Sequence, residues 1–286
     1  MSLEEFDYQT LFQKAEDEEL EELAAVYHQL GCRSTNLNRA VSFYKRSIEI
    51  NLSYRPIDRR LLSASYTNIG ALLKKRTDYD EALRYYRRAL NIDLHDAEVN
   101  QLKIADRYND IGNVLLDQDN YKEAIEQFQH ALNIQTKNIS LNDPILVKTY
   151  YNLGSVYHLM DKYSLAFDYY EKALEILEAY LPLQHSLLIC TYNKLGSLYY
   201  LMQNYTAAFS CQQKAFKIQE KIVSSDHPSL SIRHYNMAVA LEGLKRYKEA
   251  IDHVTQAVEI LRQTQRSHQH KIRNYQRYLS QLREKL

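Results

Sequence analysis

The sequence predicts an all-α chain, an α-solenoid of stacked antiparallel helix pairs. Three observations carry that expectation: a self-similarity that returns every 42 residues, helical apolar spacing inside each copy, and only 6 Gly and 4 Pro in 286 residues, too few for a turn-rich β protein. Internal repetition is sought first, because a missed repeat misassigns the whole architecture. "YTNIGALL" from Tyr66 returns as "YNDIGNVL" from Tyr108, "YYNLGSVY" from Tyr150, "YNKLGSLY" from Tyr192 and "HYNMAVAL" from His234. The glycines stand at 70, 112, 154 and 196, and Ala238 takes the next slot.

Each of these segments is followed in register by a second one: "YDEALRYYRRAL" (79–90), "YKEAIEQFQHAL" (121–132), "YSLAFDYYEKAL" (163–174), "YTAAFSCQQKAF" (205–216) and "YKEAIDHVTQAV" (247–258). Both halves place apolar residues at i, i+3, i+4 and i+7, the pattern of amphipathic helices, so each unit is helix, turn, helix. An earlier copy comprises "LAAVYHQL" (23–30) and "RAVSFYKRSIEI" (39–50), read with about four extra residues near Arg33 to Asn36 that lengthen its turn. The repeats run approximately over 17–55, 60–97, 102–138, 144–181, 186–223 and 228–265, and together with a capping helix at 268–286 they make a single solenoid of residues 1–286. The cap follows from Ile272, Tyr275, Leu279 and Leu282, since a terminal unit must tolerate solvent on one face.

Small residues on the two helices of a pair, such as Gly154 and Ala166, permit close approach. A second alanine seven residues on, at 89, 131, 173, 215 and 257, is expected to face the following repeat. Tyr79, Tyr121, Tyr163, Tyr205 and Tyr247 are expected to plug the helix junctions with their hydroxyls in water. Gln212 and Val254 depart from the aromatic that Tyr170 represents. In the linkers "NDP" (142–144) and "DHP" (226–228), Asp143 is expected to cap a helix that Pro144 begins.

The pattern Tyr-x-x-Leu-Gly-x-x-Tyr, followed by Ala-x-x-x-Tyr and a further Ala, resembles the tetratricopeptide repeat, with Tyr150 where Trp is common. Such repeats usually span about 34 residues and HEAT-type units about 40–47, so the residue pattern decides rather than the length. The 42-residue step and the Pro-bearing linkers resemble the kinesin light chain type. The resemblance covers roughly residues 17–265. It implies a right-handed superhelix that binds a partner on a concave surface lined by first helices.

Composition excludes several classes. The 36 Lys and Arg balance 36 Asp and Glu, without the basic footprint of a nucleic-acid binder. The acidic start "MSLEEFDYQTLFQK" does not read as a secretory signal, and no apolar run is long enough to cross a membrane. Cys32, Cys190 and Cys211 share no metal-ligand spacing, which fits free thiols in the cytoplasm. No phosphate loop, His-Glu-x-x-His, Gly-x-Ser-x-Gly or Cys-x-x-Cys is present. His185 and His227 lie in linkers, and "SHQH" (267–270) is taken as a solvated loop. The expectation is a protein without catalytic residues, cofactor or metal, acting as a protein-interaction scaffold or adaptor.

The binding face is placed from helix geometry. Two residues along a helix turn it by about 200°, so the residue two before each glycine points away from the partner helix. These are Glu22, Asn68, Asp110, Asn152, Lys194 and Asn236. Asn is a poor mid-helix residue, but its carboxamide both donates and accepts and can pair with an extended peptide backbone. A plainer reading is a local hydrogen bond between adjacent repeats. Neighbouring positions add Asn109, Asn113, Lys148, Tyr151, Ser155, Asn193, Ser197 and Tyr235, flanked by His158 and Tyr200.

The resemblance offers a further comparison, the carboxylate clamp of chaperone-binding members. Asn113 and Asn152 match it and Lys194 stands where Arg is usual, whereas Asn109 and Cys190 replace its lysines and Lys148 compensates in part. Such a co-chaperone-like module is one alternative; a regulatory or targeting module of a larger multidomain enzyme is another. A third is self-association. Residues 1–22 carry nine acidic groups and one basic, and 261–286 carry seven basic and one acidic, a polarity that admits weak head-to-tail contact and equally suits helix macrodipoles.

Overall fold

A computed structural model describes residues 3–180, 186–263 and 268–286, with side chains from residue 18 onward. Among the described residues there are thirteen α-helices and no strand. They fall into two compact units, residues 1–140 and 141–286.

The first unit holds α1 (Leu3–Arg33), α2 (Leu37–Ser53), α3 (Arg59–Lys75), α4 (Tyr79–Leu94), α5 (Gln101–Asp117) and α6 (Tyr121–Asn138). The second holds α7 (Leu146–Leu159), α8 (Tyr163–Tyr180), α9 (Ser186–Leu201), α10 (Tyr205–Glu220), α11 (Pro228–Gly243), α12 (Tyr247–Gln263) and α13 (Gln269–Glu284). Within each unit every helix packs on its neighbours in sequence, so a first helix touches both its own partner and the second helix before it. This double contact gives α5, between α4 and α6, a wide buried arc.

The glycine slot works by contact with a ring. A Cβ built on Gly112 would lie 2.6 Å from the Phe128 ring, and one on Gly154 would lie 2.8 Å from the Tyr170 ring. Tyr170 and Phe128 are fully buried, as are Ala124, Ala131, Ala166 and Ala173. The expected tight pairing of first and second helices therefore holds, with the second helix's ring filling the space that glycine leaves. Two of the junction tyrosines keep their hydroxyls at the surface as expected: Tyr121 and Tyr163 donate to Asp119 and Asp161 at 2.8 and 2.7 Å. Those partners are the left-handed residues of the turns. Thr77, Asp119, Asp161, Gln203 and Lys245 have φ between 57° and 65° and are spaced by 42.

The first repeat corrects one expectation. Its turn, residues 34–36, has the same three-residue length as the turn at 76–78, because α1 ends at Arg33 and α2 begins at Leu37. No insertion is present. The glycine slot is therefore His28, 42 before Gly70, and the Tyr44 ring is seated against Gly31 one turn further on. Glu22 drops out of the row, and the exposed Val26 takes that register. The linkers differ too: Asp143 accepts from the Ile145 N–H at 2.9 Å, and α7 begins only at Leu146. Pro228 does begin α11, where His227 is the cap.

The capping helix is more than a lid. It starts 41 residues after α11 and continues the register, so Ser280 falls in the small-residue slot and Tyr278 stands 42 beyond Asn236. Tyr275 stacks on Tyr235 at 4.5 Å between ring centres. The Tyr278 hydroxyl and the Lys285 ammonium both donate to Glu242 at 2.7 Å. The helix packs on α11 and α12 in the register of a further first helix.

Candidate interaction surface

The row of first-helix residues divides between the two units. In the first, Asn68 on α3 is half-buried, with Nδ2 4.0 Å from Cys32 Sγ, while the Tyr44 hydroxyl donates to the same sulfur at 3.3 Å. Burial, reinforced by Cys32 and opposed by Asn68, raises the Tyr44 phenol far above its ordinary range. Asp110 on α5 is drawn toward Arg107 at 3.6 Å, and its charge adds to the burial that raises Tyr86. Arg107 itself donates to Asp93, which is 1% exposed and also held by Lys103. Asn113 is half-buried. Asn109 is not part of any surface: it is fully buried, because α5 is covered on the side that faces α4 as well as on the side that faces α6. Asn109 is therefore withdrawn from the peptide-contacting set.

In the second unit Lys148 is exposed on α7 and Tyr151 is half-buried beside the Tyr170 ring, 5.5 Å away. Burial pushes the Tyr151 phenol up to about 12. Ser155 donates to the Tyr151 carbonyl at 3.0 Å and lies 3.0 Å from the Tyr170 hydroxyl. Asn152 is 9% exposed, and its Nδ2 has no hydrogen-bond partner among the described residues. On α9, Asn193 and Lys194 are half-buried, Ser197 is exposed, and the Asn193 Oδ1 likewise has no partner among the described residues. Burial first, and the Lys194 charge second, lower the pKa of His158. On α11, Tyr235 packs on the cap and Asn236 donates to Gln212 Oε1 at 3.5 Å. The plainer reading of the asparagine row is thus realised at Asn236, whose amide links adjacent repeats.

A feature that sequence reasoning did not reach lies beside that amide. A cavity of about 210 Å³ is lined by Gly196, Ser197, Tyr200, Leu201, Ala208, Gln212, Asn236, Val239 and Ala240. The departure of Gln212 from the aromatic pattern was its signal.

Among the described residues no helix is long and apolar enough to cross a membrane, and no cluster of three metal-ligating side chains occurs. His185 and Ser267 lie outside the described residues.

Similar solved structures share the fold. BtubC (BKLC) from P. vanneervenii matches with a TM-score of 0.70 and 23% identity over 79% of this chain and 91% of that one. A candidate kinesin light chain of Podosopora anserina with nearly identical TPR-like repeats gives 0.62 and 19% over 73% and 98%. The apo form of RapI gives 0.65 and 20% over 92% and 98%. No protein of curated function matches the sequence. The tetratricopeptide repeat profile matches residues 18–94, 104–179 and 187–263. With most of its length matched to that repeat and its helices paired as the repeat requires, the chain belongs to the tetratricopeptide repeat family, whose arrays generally mediate protein–protein interaction and are typically non-catalytic.

Proposed function

We propose that the chain is a non-catalytic, cytoplasmic scaffold or adaptor whose second unit holds a partner peptide along α7, α9 and α11. One observation carries the reading: on the successive first helices α7 and α9, the buried amide atoms of Asn152 and Asn193 stand among side chains that keep polar groups open to solvent. Around them Lys148, Tyr151, Lys194 and Ser197 remain at least partly open to solvent. The balanced charge supports a protein partner over nucleic acid. Exposed Cys32 and Cys190 thiols fit a reducing compartment.

The test is affinity capture with mass spectrometry, comparing the wild type with a Lys148→Ala/Lys194→Ala variant and with Lys217→Ala on α10 as control. The proteins held by the wild type and the control are expected to be lost from the double variant at unchanged helicity. An identical set on all three baits would reject the surface.

A further inference from the structure

Three repeats show the same cradle occupied by a ring. Gly70 faces Tyr86, Gly112 faces Phe128 and Gly154 faces Tyr170, each ring within about van der Waals reach of the glycine. In the fifth repeat Gly196 keeps the slot, but the residue opposite is Gln212, whose Nε2 is the nearest atom. A carboxamide is shorter than a phenol, and the space beyond it is the 210 Å³ hollow. An apolar cavity of roughly 150 Å³ is enough to take up benzene.

The polar fittings of the filled cradle survive as well. In the fourth repeat Ser155 donates to the carbonyl four residues back and meets the Tyr170 hydroxyl at 3.0 Å. Ser197, 42 residues on, donates to the Asn193 carbonyl at 3.0 Å in the same way and lines the hollow. Its donor is used, and its oxygen retains the lone pair that at Ser155 serves a phenol. Gly196, Ala208, Val239 and Ala240 supply an apolar wall, the Gln212–Asn236 amide pair forms one side, and Tyr200 and Leu201 are exposed at the mouth, 37% and 48%.

We propose that this hollow is a receptor for a tyrosine side chain of the bound segment, its ring standing where the array elsewhere supplies its own and its hydroxyl donating to Ser197. The proposal rests on the reading of the second unit as a peptide-binding surface and names one anchor residue of the ligand. The apolar wall supplies affinity for the ring. Ser197 selects tyrosine over phenylalanine.

The experiment uses the full chain with methyl-labelled alanine, leucine and valine, titrated with p-cresol, which is the tyrosine side chain, and with toluene. Saturable shifts are expected at Ala208, Val239, Ala240 and Leu201. Ser197→Ala should weaken p-cresol about fivefold, the size of one neutral hydrogen bond, and leave toluene unchanged. Gln212→Tyr returns the ring from within and should abolish binding of both; if that variant fails to fold, Val239→Phe closes the opposite wall with the same expected loss. Shifts scattered over other methyls, or binding that survives both blocking variants, would overturn the receptor. Equal effects of Ser197→Ala on both probes would overturn the preference for tyrosine. These titrations report on the hollow whatever capture with the Lys148/Lys194 variant shows, so the two readings fail separately.

Discussion

Gly154 and Gly196 hold the same place in successive repeats, yet a methyl group added at each meets different neighbours. At Gly154 it would lie 2.8 Å from the Tyr170 ring, whose hydroxyl is held at Ser155, so the ring has nowhere to retreat. Overpacking of this kind costs about 1–3 kcal/mol and outweighs the helix preference of Ala over Gly, about 1 kcal/mol. At Gly196 the nearest atom is the Gln212 Nε2 at 2.6 Å, the end of a flexible side chain beside an open hollow. Gly154→Ala should therefore lower the melting temperature and Gly196→Ala should hold or raise it; calorimetry giving shifts of one sign would contradict the ring-in-slot account. The slot was legible in the sequence because small residues recur there at a fixed step. The left-handed turn residues were not, because none of the five is the Gly or Asn that advertises a positive φ. Thr77, β-branched at φ 65°, is the most strained of them. Thr77→Gly should stabilise by about 0.5–1 kcal/mol in urea denaturation, the relief of about 1–2 kcal/mol being partly offset by the entropy of an unfolded glycine.

At the scale of elements, the junction of α4 and α5 is held by ions as well as by apolar contact. Asp93 lies at 1% exposure between Lys103 and Arg107, and Arg107 is itself only 8% exposed. Removing one member of such a pair strands the other charge, at about 3–5 kcal/mol, whereas an apolar replacement of the whole pair is often neutral. Asp93→Ala should thus destabilise the first unit strongly, and Asp93→Leu with Arg107→Met should recover most of the loss in the same denaturation assay. Failure of the double variant to recover would point to Lys103 as the partner that matters. This buried cluster also explains why the inner face was only partly legible. A helical wheel drawn against one partner leaves half of each first helix free, but α5 packs on α4 and α6 together. Asn109 is consumed by the second contact, and Asp110 by its approach to Arg107. In α13 the register was hidden because Ser280 stands where repeats two to six have Gly or Ala, and Tyr278 where they have Asn, Asp or Lys.

At the scale of the molecule, the 42-residue step gave the order of the described helices, because within each unit every helix must meet its neighbours at the same heights. What no periodicity encodes is which histidines the packing closes over. His28 in the first unit and His158, His234 and His253 in the second are all lowered from the ordinary imidazole value, in each case chiefly by burial. His234 is the extreme, falling from 6.5 to about 4; it lies 2.9 Å from His253 between Nδ1 atoms and edge-on to Phe216. The Asp252 and Glu249 charges raise His253 in part, without reversing its shift. A folded state that keeps these rings neutral binds fewer protons than the unfolded chain between the two pKa values, so stability rises with pH through that window. Above about pH 6.5 the contribution is complete, and it is lost as pH falls toward 4. Urea denaturation should accordingly give a lower unfolding free energy at pH 5 than at pH 7. His234→Gln, which removes the group with the largest shift and keeps an amide opposite His253, should narrow that difference. An unfolding free energy that does not change between the two pH values in the wild type would mean that the second unit admits the proton without opening, and that the His234–His253 contact is not the closed pair described.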